Sequence, residues 1–346
     1  MLYQTLAGRD QWRGTCFRNL NSAKHNEELV MKTTTRTPFY QHTLSGPVHF
    51  VGRGLHNGKP VSMTLLPAET DTGYVFERLD AEPGQQLVPA RWHAVTDTRL
   101  STTISNGYGV SVSTIEHLTA ALTACGVDNC RILLDGPEVP IMDGSAKAFM
   151  ERIQAEGLLV QQRERKALVV TNPVWVYERN RYAGFLPCPR PWFDVTIEFE
   201  SAAIGKQNYS MPLTEHMFDS NIAEARTFGF EDQLATLQAL GLAQGGSLRN
   251  AILVDGDRVV NEDGLRYEDE FVRHKLLDAV GDLSLAGVPI YGRFVGHCSG
   301  HHLNNRLLRS LMHNVSYWRL TTVREATEQW GCMIDDSTYE EMLESI

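Results

Sequence analysis

The sequence predicts an α+β protein of two similar domains, each a layer of helices packed on a β-sheet, facing one another across a cleft. Two observations carry this. From about residue 42 short runs alternate like strands, HTLSGPVHFVGRGLHNGKPVSMTLLPA, and are followed by helical text in STIEHLTAALTACG. After residue 165 the same order returns: strand-rich text, then a helix, a glycine, a strand, a loop and a helix. The two halves share negligible sequence identity, so the recurrence is one of topology.

The elements follow in chain order. Residues 1–37 are polar and patternless and read as a tail, disordered or preceding the true start, with Met31 as an alternative start. The first α+β domain is assigned to 38–165. In it His56-Asn57-Gly58-Lys59 reads as a tight hairpin turn. GRGLHNGKP is no phosphate loop, because Walker spacing needs Gly where Arg53 stands and Ser or Thr where Pro60 stands. Ser113 and Glu116 have capping-box spacing, and Gly126 supplies a stop, which predicts a helix over 114–125. NCRILLDG reads as a buried strand, PEVPIMDG as a loop and SAKAFMERIQAEG as a helix. The second α+β domain is assigned to 166–325. It opens with KALVVTNPVWVYE and FDVTIEFE as strands, reaches a helix at 268–286, and ends with strand PIYGRFVG and helix HHLNNRLLRSLM. Residues 326–346 read as an acidic closing tail or helix.

Composition narrows the function classes. With 346 residues, 42% hydrophobic and 21% charged, the chain can bury a sizeable core. A formal charge of -10 argues against nucleic-acid partners and against broad binding to anionic membranes. No run of about 18 apolar residues predicts a membrane span. The six cysteines form no CxxC pair, which fits a reducing, cytoplasmic setting, and Cys125 and Cys130 read as packed thiols. The oligomeric state is not readable.

The chemistry is concentrated in RHKLLDAVGD. On a helix His274, Asp278 and Asp282 fall at i, i+4 and i+8, so an imidazole and two carboxylates share one face. Neutral imidazole and carboxylate one turn apart can supply two zinc ligands, and the same pattern also fits an ion-paired helix face. Glu116-His117, at the matching place in the first half, is the best source of a third ligand. It equally fits a solvated capping glutamate beside a core histidine. No HExxH settles the choice. If a metal is held, an adjacent carboxylate can take a proton from water, and His301, oriented by Asp282, is a second acid/base candidate. His56 and His93 read as turn or surface residues.

Taken in order, STIEHLTAAL, DGPEVPIMDGSA, ARTFGF, GGSLRNAILV, NEDGLRYEDEFVRHKLLDAVGDL and SGHHLNNRLL resemble the UDP-3-O-acyl-N-acetylglucosamine deacetylases of lipid A biosynthesis. The resemblance runs over about 40–320. It implies a zinc-dependent amide hydrolase acting on a UDP-acyl-amino-sugar, with the active site in the cleft between two α+β domains. By the same resemblance His117, His274 and Asp278 hold Zn2+, and Glu116 is the base toward water. Thr227 holds the acetamide oxygen, and Phe228 contacts the sugar. His301, backed by Asp282, stabilises the oxyanion and protonates the amine, while Lys275 adds positive charge. GLAQGGSLRNAILV resembles the family's insert that forms an apolar passage for the acyl chain, with Ala243, Ser247, Leu248, Ile252 and Leu253 as lining or approach. Its length, and so the preferred acyl chain, is not readable.

One departure stands out. Where the family commonly reads KSGHALNN, this chain has Cys298-Ser299-Gly300-His301-His302-Leu303-Asn304-Asn305. A thiol replaces a basic residue expected near a diphosphate. His297, His302, Arg306 and Arg309 are the neighbouring candidates to restore the charge. The alternatives this leaves are a paralogue performing the same chemistry on another acylated amide, and a non-catalytic zinc-binding regulator.

Overall fold

The structure is a computed structural model describing residues 38–331. The 1–37 reading, and the part of the 326–346 reading past Gly331, lie outside the described residues. Seven helices occur among the described residues: α1 (Glu116–Ala124), α2 (Lys147–Glu156), α3 (Glu215–Asn221), α4 (Glu231–Ala239), α5 (Glu270–Leu283), α6 (His301–His313) and α7 (Val323–Gly331).

In the first half five strands form a sheet in the order Val48–Arg53, Pro60–Pro67, Cys130–Leu134, Tyr74–Arg78, Leu87–Pro89. Alternation drives it: along Pro60–Pro67 the residues Val61, Met63 and Leu65 are buried while Ser62 faces water. Tyr74–Arg78 and Cys130–Leu134 pair in parallel, which requires a crossover, and α1 lies in it. The second half repeats this device. Pro191–Glu198 and Ile290–His297 pair in parallel, and the crossover between them contains α5. Ile290–His297 is the hub of a seven-stranded sheet, bonded also to Arg181–Leu186 and Lys166–Val170. The expected recurrence of helix, glycine, strand, loop and helix is therefore present, as α1–Gly126–Cys130–Leu134–α2 and α5–Gly287–Ile290–His297–α6.

The main apolar core runs through both halves, from Leu44 and Phe50 to Phe294 and Leu311, and a small second cluster joins Ala167 and Val169 to Val323 and Ala326. α6 presents Leu303, Leu307, Leu308 and Leu311 to it at helical spacing. α5 is buried almost all round, twelve of its fourteen residues lying out of solvent. Each such leucine contributes about 1.5–3 kcal/mol by leaving water, so a helix in this position can carry polar groups and still stay in place.

Local expectations were corrected in three places. The residue before α1 is Ile115, helical in backbone and making no side-chain cap. The Ser113/Glu116 capping box does not form, because Glu116 is turned inward and 3% exposed. The His56–Lys59 turn is part of a wider loop over 54–59, closed by Gly54 N donating to Lys59 O at 3.0 Å, with Gly58 at φ +65. The helix expected at 268–286 ends as α5 at Leu283 and tightens into a 3-10 turn, Ser284–Ala286, stopped by Gly287 at φ +80.

Candidate metal centre

α1 and α5 cross at close range. Thr119 Oγ1 donates to Gly281 O at 3.1 Å, tying α1 to the last turn of α5. This crossing brings Glu116-His117 against the His274–Asp278–Asp282 face. His117 Nε2 lies 3.6 Å and His274 Nε2 3.4 Å from Asp278 Oδ1, and the two imidazole rings meet edge to face at 4.9 Å. One ligand atom from each of His117, His274 and Asp278 falls within 4.8 Å of the others, all three residues being buried.

The atoms are arranged for a cation. His274 Nδ1 is 3.0 Å from Ala225 O, a carbonyl that can only accept, so Nδ1 carries the proton and Nε2 keeps its lone pair. Burial, reinforced by His117 and opposed by Asp278, lowers the His274 pKa to about 3, so the ring is neutral at physiological pH. Asp278 Oδ1 is buried with no hydrogen-bond donor, which is costly for an ionised oxygen unless a cation meets it. Burial opposes ionisation of Asp278, but His274 and Lys275 outweigh it and hold the carboxyl well below its usual range. Because His274 is neutral above about pH 3, Lys275, its Nζ 2.6 Å from Asp278 Oδ2, and His301 are the cations beside Asp278 at neutral pH. Two imidazoles and a carboxylate are the donor set of a catalytic metal site with a coordination position to spare.

Glu116 and His301 flank this group from two sides. His301 Nε2 is 3.8 Å from Glu116 Oε1 and 4.0 Å from Asp278 Oδ2. Its Nδ1 contacts Asp282 Oδ2 at 2.9 Å. Burial works against a charged His301, but Asp282, Glu116 and Asp278 prevail and raise its pKa to about 9. Burial raises Glu116, with Asp278 and Asp282 adding to it and His301 and His117 opposing. One group is thus shifted toward holding a proton as a cation and the other toward accepting one.

Two residues not singled out in the sequence complete the shell. Thr102 N donates to Glu116 Oε2 at 3.1 Å and Thr102 Oγ1 to Asp282 Oδ1 at 2.5 Å. Asn304, one turn into α6 from His301, donates to Asp282 Oδ2 at 2.9 Å. His56 sits in its turn as expected, but both ring nitrogens are buried without partners, and its pKa is lowered by burial and by the charges of His301 and His117, against Glu138. Its ring nitrogens are thus out of solvent, although the residue as a whole is half-buried. His93 is exposed, packed edge-on to Trp92.

The remaining residues fall into two groups. Lys275 Nζ lies 5.5 Å over the Phe228 ring, and Phe228 is 6.4 Å from the His274 ring, so both adjoin the triad. Thr227 is anchored by its backbone to Gly144 O and Ile252 N, each at 2.8 Å. Ala243, Ser247 and Leu248 lie on the loop between α4 and the strand Ile252–Asp255. That loop docks on the 54–59 turn through Gln244 N to His56 O and Gly245 N to Leu55 O. Ile252 is 0% exposed within the core, while Leu253 points to the other face of the strand and is half-buried. Cys125 and Cys130 are buried thiols outside any disulfide, as expected of packed cysteines. Cys298 is half-buried at φ +48 and is not part of the metal group. Of its neighbours, Arg309 is committed to Val95 O and Asn305, His297 stacks on Tyr182 at 5.0 Å, and His302 and Arg306 are exposed.

A buried His–His–Asp group able to hold a metal, with a carboxylate and a histidine of raised pKa on its flanks, is the arrangement of a metal-dependent hydrolase. Residues 41–313 match the family described as LpxC, UDP-3-O-acyl N-acetylglycosamine deacetylase, and the chain belongs to that family. It is 44% identical over 286 residues to the UDP-3-O-acyl-N-acetylglucosamine deacetylase of Phenylobacterium zucineum, covering 83% of this chain and 98% of that one. It is 45% identical over 284 residues to the enzyme of the same name from Pasteurella multocida, covering 82% and 93%. No helix among the described residues is long and apolar enough to cross a membrane.

Proposed function

We propose that this chain is the deacetylase of lipid A biosynthesis, hydrolysing the acetamide of UDP-3-O-acyl-N-acetylglucosamine to the free amine and acetate. The observation that carries the reading is the placement of Glu116 and His301 3.8 Å apart beside the His117–His274–Asp278 group. Those three residues would hold Zn2+, which would supply Lewis acidity at this site. Glu116 takes the proton of the attacking water. His301, kept protonated by Asp282, stabilises the oxyanion and then gives its proton to the leaving amine, which departs poorly unless protonated. The Thr227 hydroxyl donates to the acetamide oxygen, and Lys275 adds positive charge beside it. Phe228 offers its ring to the sugar. The α4 insert, with Ala243, Ser247, Leu248 and Leu253, shelters the acyl chain. Residues 38–165 and 166–325 act as two α+β domains whose cleft is this site, and the enzyme works in the cytoplasm, where its nucleotide-sugar substrate is made.

The test is acetate release from UDP-3-O-acyl-N-acetylglucosamine by the zinc-loaded protein, with Glu116→Ala and His301→Ala beside it. Both variants should retain stoichiometric zinc and lose most turnover. Full activity in either would remove that residue from the mechanism. Cys298 favours a second reading, in which the same chemistry serves an acylated amide without a diphosphate. Turnover of a nucleotide-free amide, with none of the UDP substrate, would establish it.

A further inference from the structure

A cavity of about 70 Å³ lies behind α5. It is lined by Val280 and Leu283 of α5 and walled further by Phe193, Val288 and Ile290. At about 100° per residue, Val280 sits roughly 200° around the helix from Asp278, so the cavity and the metal centre occupy opposite faces of the same turns. It is a different place from the site described above.

The polar groups around this cavity are accounted for, with one exception. Tyr74 Oη donates to Val127 O at 2.7 Å. Asp128 is taken by Arg165 Nε at 2.6 Å and by His42 N at 2.9 Å. The exception is Arg91. Its guanidinium lines the cavity, has no carboxylate partner among the described residues, and makes one long contact, Nη2 to Thr72 O at 3.5 Å. Burial lowers its pKa, the mark of a cation short of counter-charge. The chain also clears space for it. Gly73 at φ +68 and Gly287 at φ +80 stand on its two sides, and a Cβ at either would lie 2.6 Å and 2.0 Å from guanidinium nitrogens. The flat group is slotted between two backbones with the cavity at its edge.

We propose that this cavity is a binding site for a short-chain carboxylate, the Arg91 guanidinium holding the head group and the apolar walls taking the alkyl tail. A guanidinium offers paired N–H donors that match a carboxylate, whereas a phosphate would bring two charges to a pocket whose other charged groups, Arg165 and Asp128, are already paired with each other. At 10–15 Å³ per water, about five waters fit, which is the size of an acid of about six non-hydrogen atoms such as butyrate. A ligand this small binds with an affinity of millimolar order.

Sodium butyrate is titrated into metal-loaded, methyl-labelled protein, with sodium chloride and butan-1-ol as controls. Saturable shifts of the Val280, Leu283, Val288 and Ile290 methyls are expected, about tenfold weaker for the alcohol, and lost in Arg91→Gln. Val288→Phe, which fills the cavity while leaving Arg91 in place, should abolish the same shifts and decides the matter if Arg91→Gln does not fold. Unmoved cavity methyls, shifts confined to residues around His117 and His274, or equal response to alcohol and acid would each overturn the proposal.

Discussion

Gly281 of α5 lies so near Glu116 of α1 that a Cβ on it would stand 2.0 Å from the Glu116 carbonyl oxygen. The obstacle is backbone, which cannot rotate away. This one contact sets the separation of the helix carrying Glu116 and His117 from the helix carrying His274 and Asp278. Gly281→Ala would ordinarily stabilise a helix interior by about 0.5–1 kcal/mol, but here overpacking, at about 1–3 kcal/mol, has the opposite sign and wins. The expected outcome is a lower melting temperature together with weaker metal retention during dialysis against chelator. A melting temperature at or above wild type would show that the helices can separate freely.

Thr102 links the two proton-handling groups, its N–H on Glu116 and its hydroxyl on Asp282. Thr102→Val keeps the shape and the N–H but removes the hydroxyl, leaving Asp282 with Asn304 and His301. A lost hydrogen bond to a buried carboxylate costs about 1.5–3 kcal/mol. Turnover should fall by roughly tenfold or more at unchanged zinc content. Turnover unchanged within error would make Thr102 a packing residue only.

Arg226 and Glu270 form a buried ion pair, 6% and 0% exposed, in which Glu270 also accepts from Arg226 N and Arg266 N. The pair fixes the segment whose Ala225 carbonyl orients His274. Arg226→Met leaves a carboxylate buried without its counter-ion, at about 3–5 kcal/mol. Denaturant melts should show that loss, and replacing both residues, Arg226→Met with Glu270→Leu, should recover part of it. A single variant as stable as wild type would mean that Glu270 is neutral or solvated.

What the sequence revealed here was local. His274, Asp278 and Asp282 share a helix face by spacing alone, and Glu116-His117 are neighbours in the chain, so both fragments of the centre were readable. Their meeting depends on the α1–α5 crossing, a contact over more than a hundred residues with no periodic signature; it was reached through family resemblance. Thr102 was missed because its two contacts span 14 and 180 residues. Asn304 was within reach, since it lies three residues beyond His301 on the same helix. Glu116 was misread as a cap because Ser-x-x-Glu spacing does not reveal which way the carboxylate turns. His56 was taken for a surface turn because a polar loop carries no sign that another segment, Gln244-Gly245, will cover it.

The metal-free protein should be most stable near pH 6.5. His301 has a folded pKa of about 9 against 6.5, so its contribution is complete below pH 6.5 and is lost as pH rises through about 9. His274 has a folded pKa of about 3, so burying it neutral favours the fold above pH 6.5, and that contribution is lost as pH falls toward 3. Melting temperatures of chelated protein across this range should decline on both sides. His301→Gln should flatten the alkaline limb and leave the acid limb. An alkaline limb that persists in the variant would assign it to another group.

Cys298 permits a test of how this chain meets the diphosphate of its proposed substrate. It sits at φ +48, where any side chain other than glycine bears the same backbone strain, so Cys298→Lys changes charge without changing that strain. Arg309 is bound to Val95 O and Asn305, which leaves exposed His302 and Arg306 as the nearby side chains able to turn toward a phosphate. If neither supplies the missing charge, an added ammonium should contribute about 1.5–3 kcal/mol, a tenfold or greater fall in the Kd of UDP. The gain should shrink with rising salt, as it does for an exposed charge. A Kd unchanged by Cys298→Lys but raised by His302→Ala or Arg306→Ala would place the compensating charge on α6.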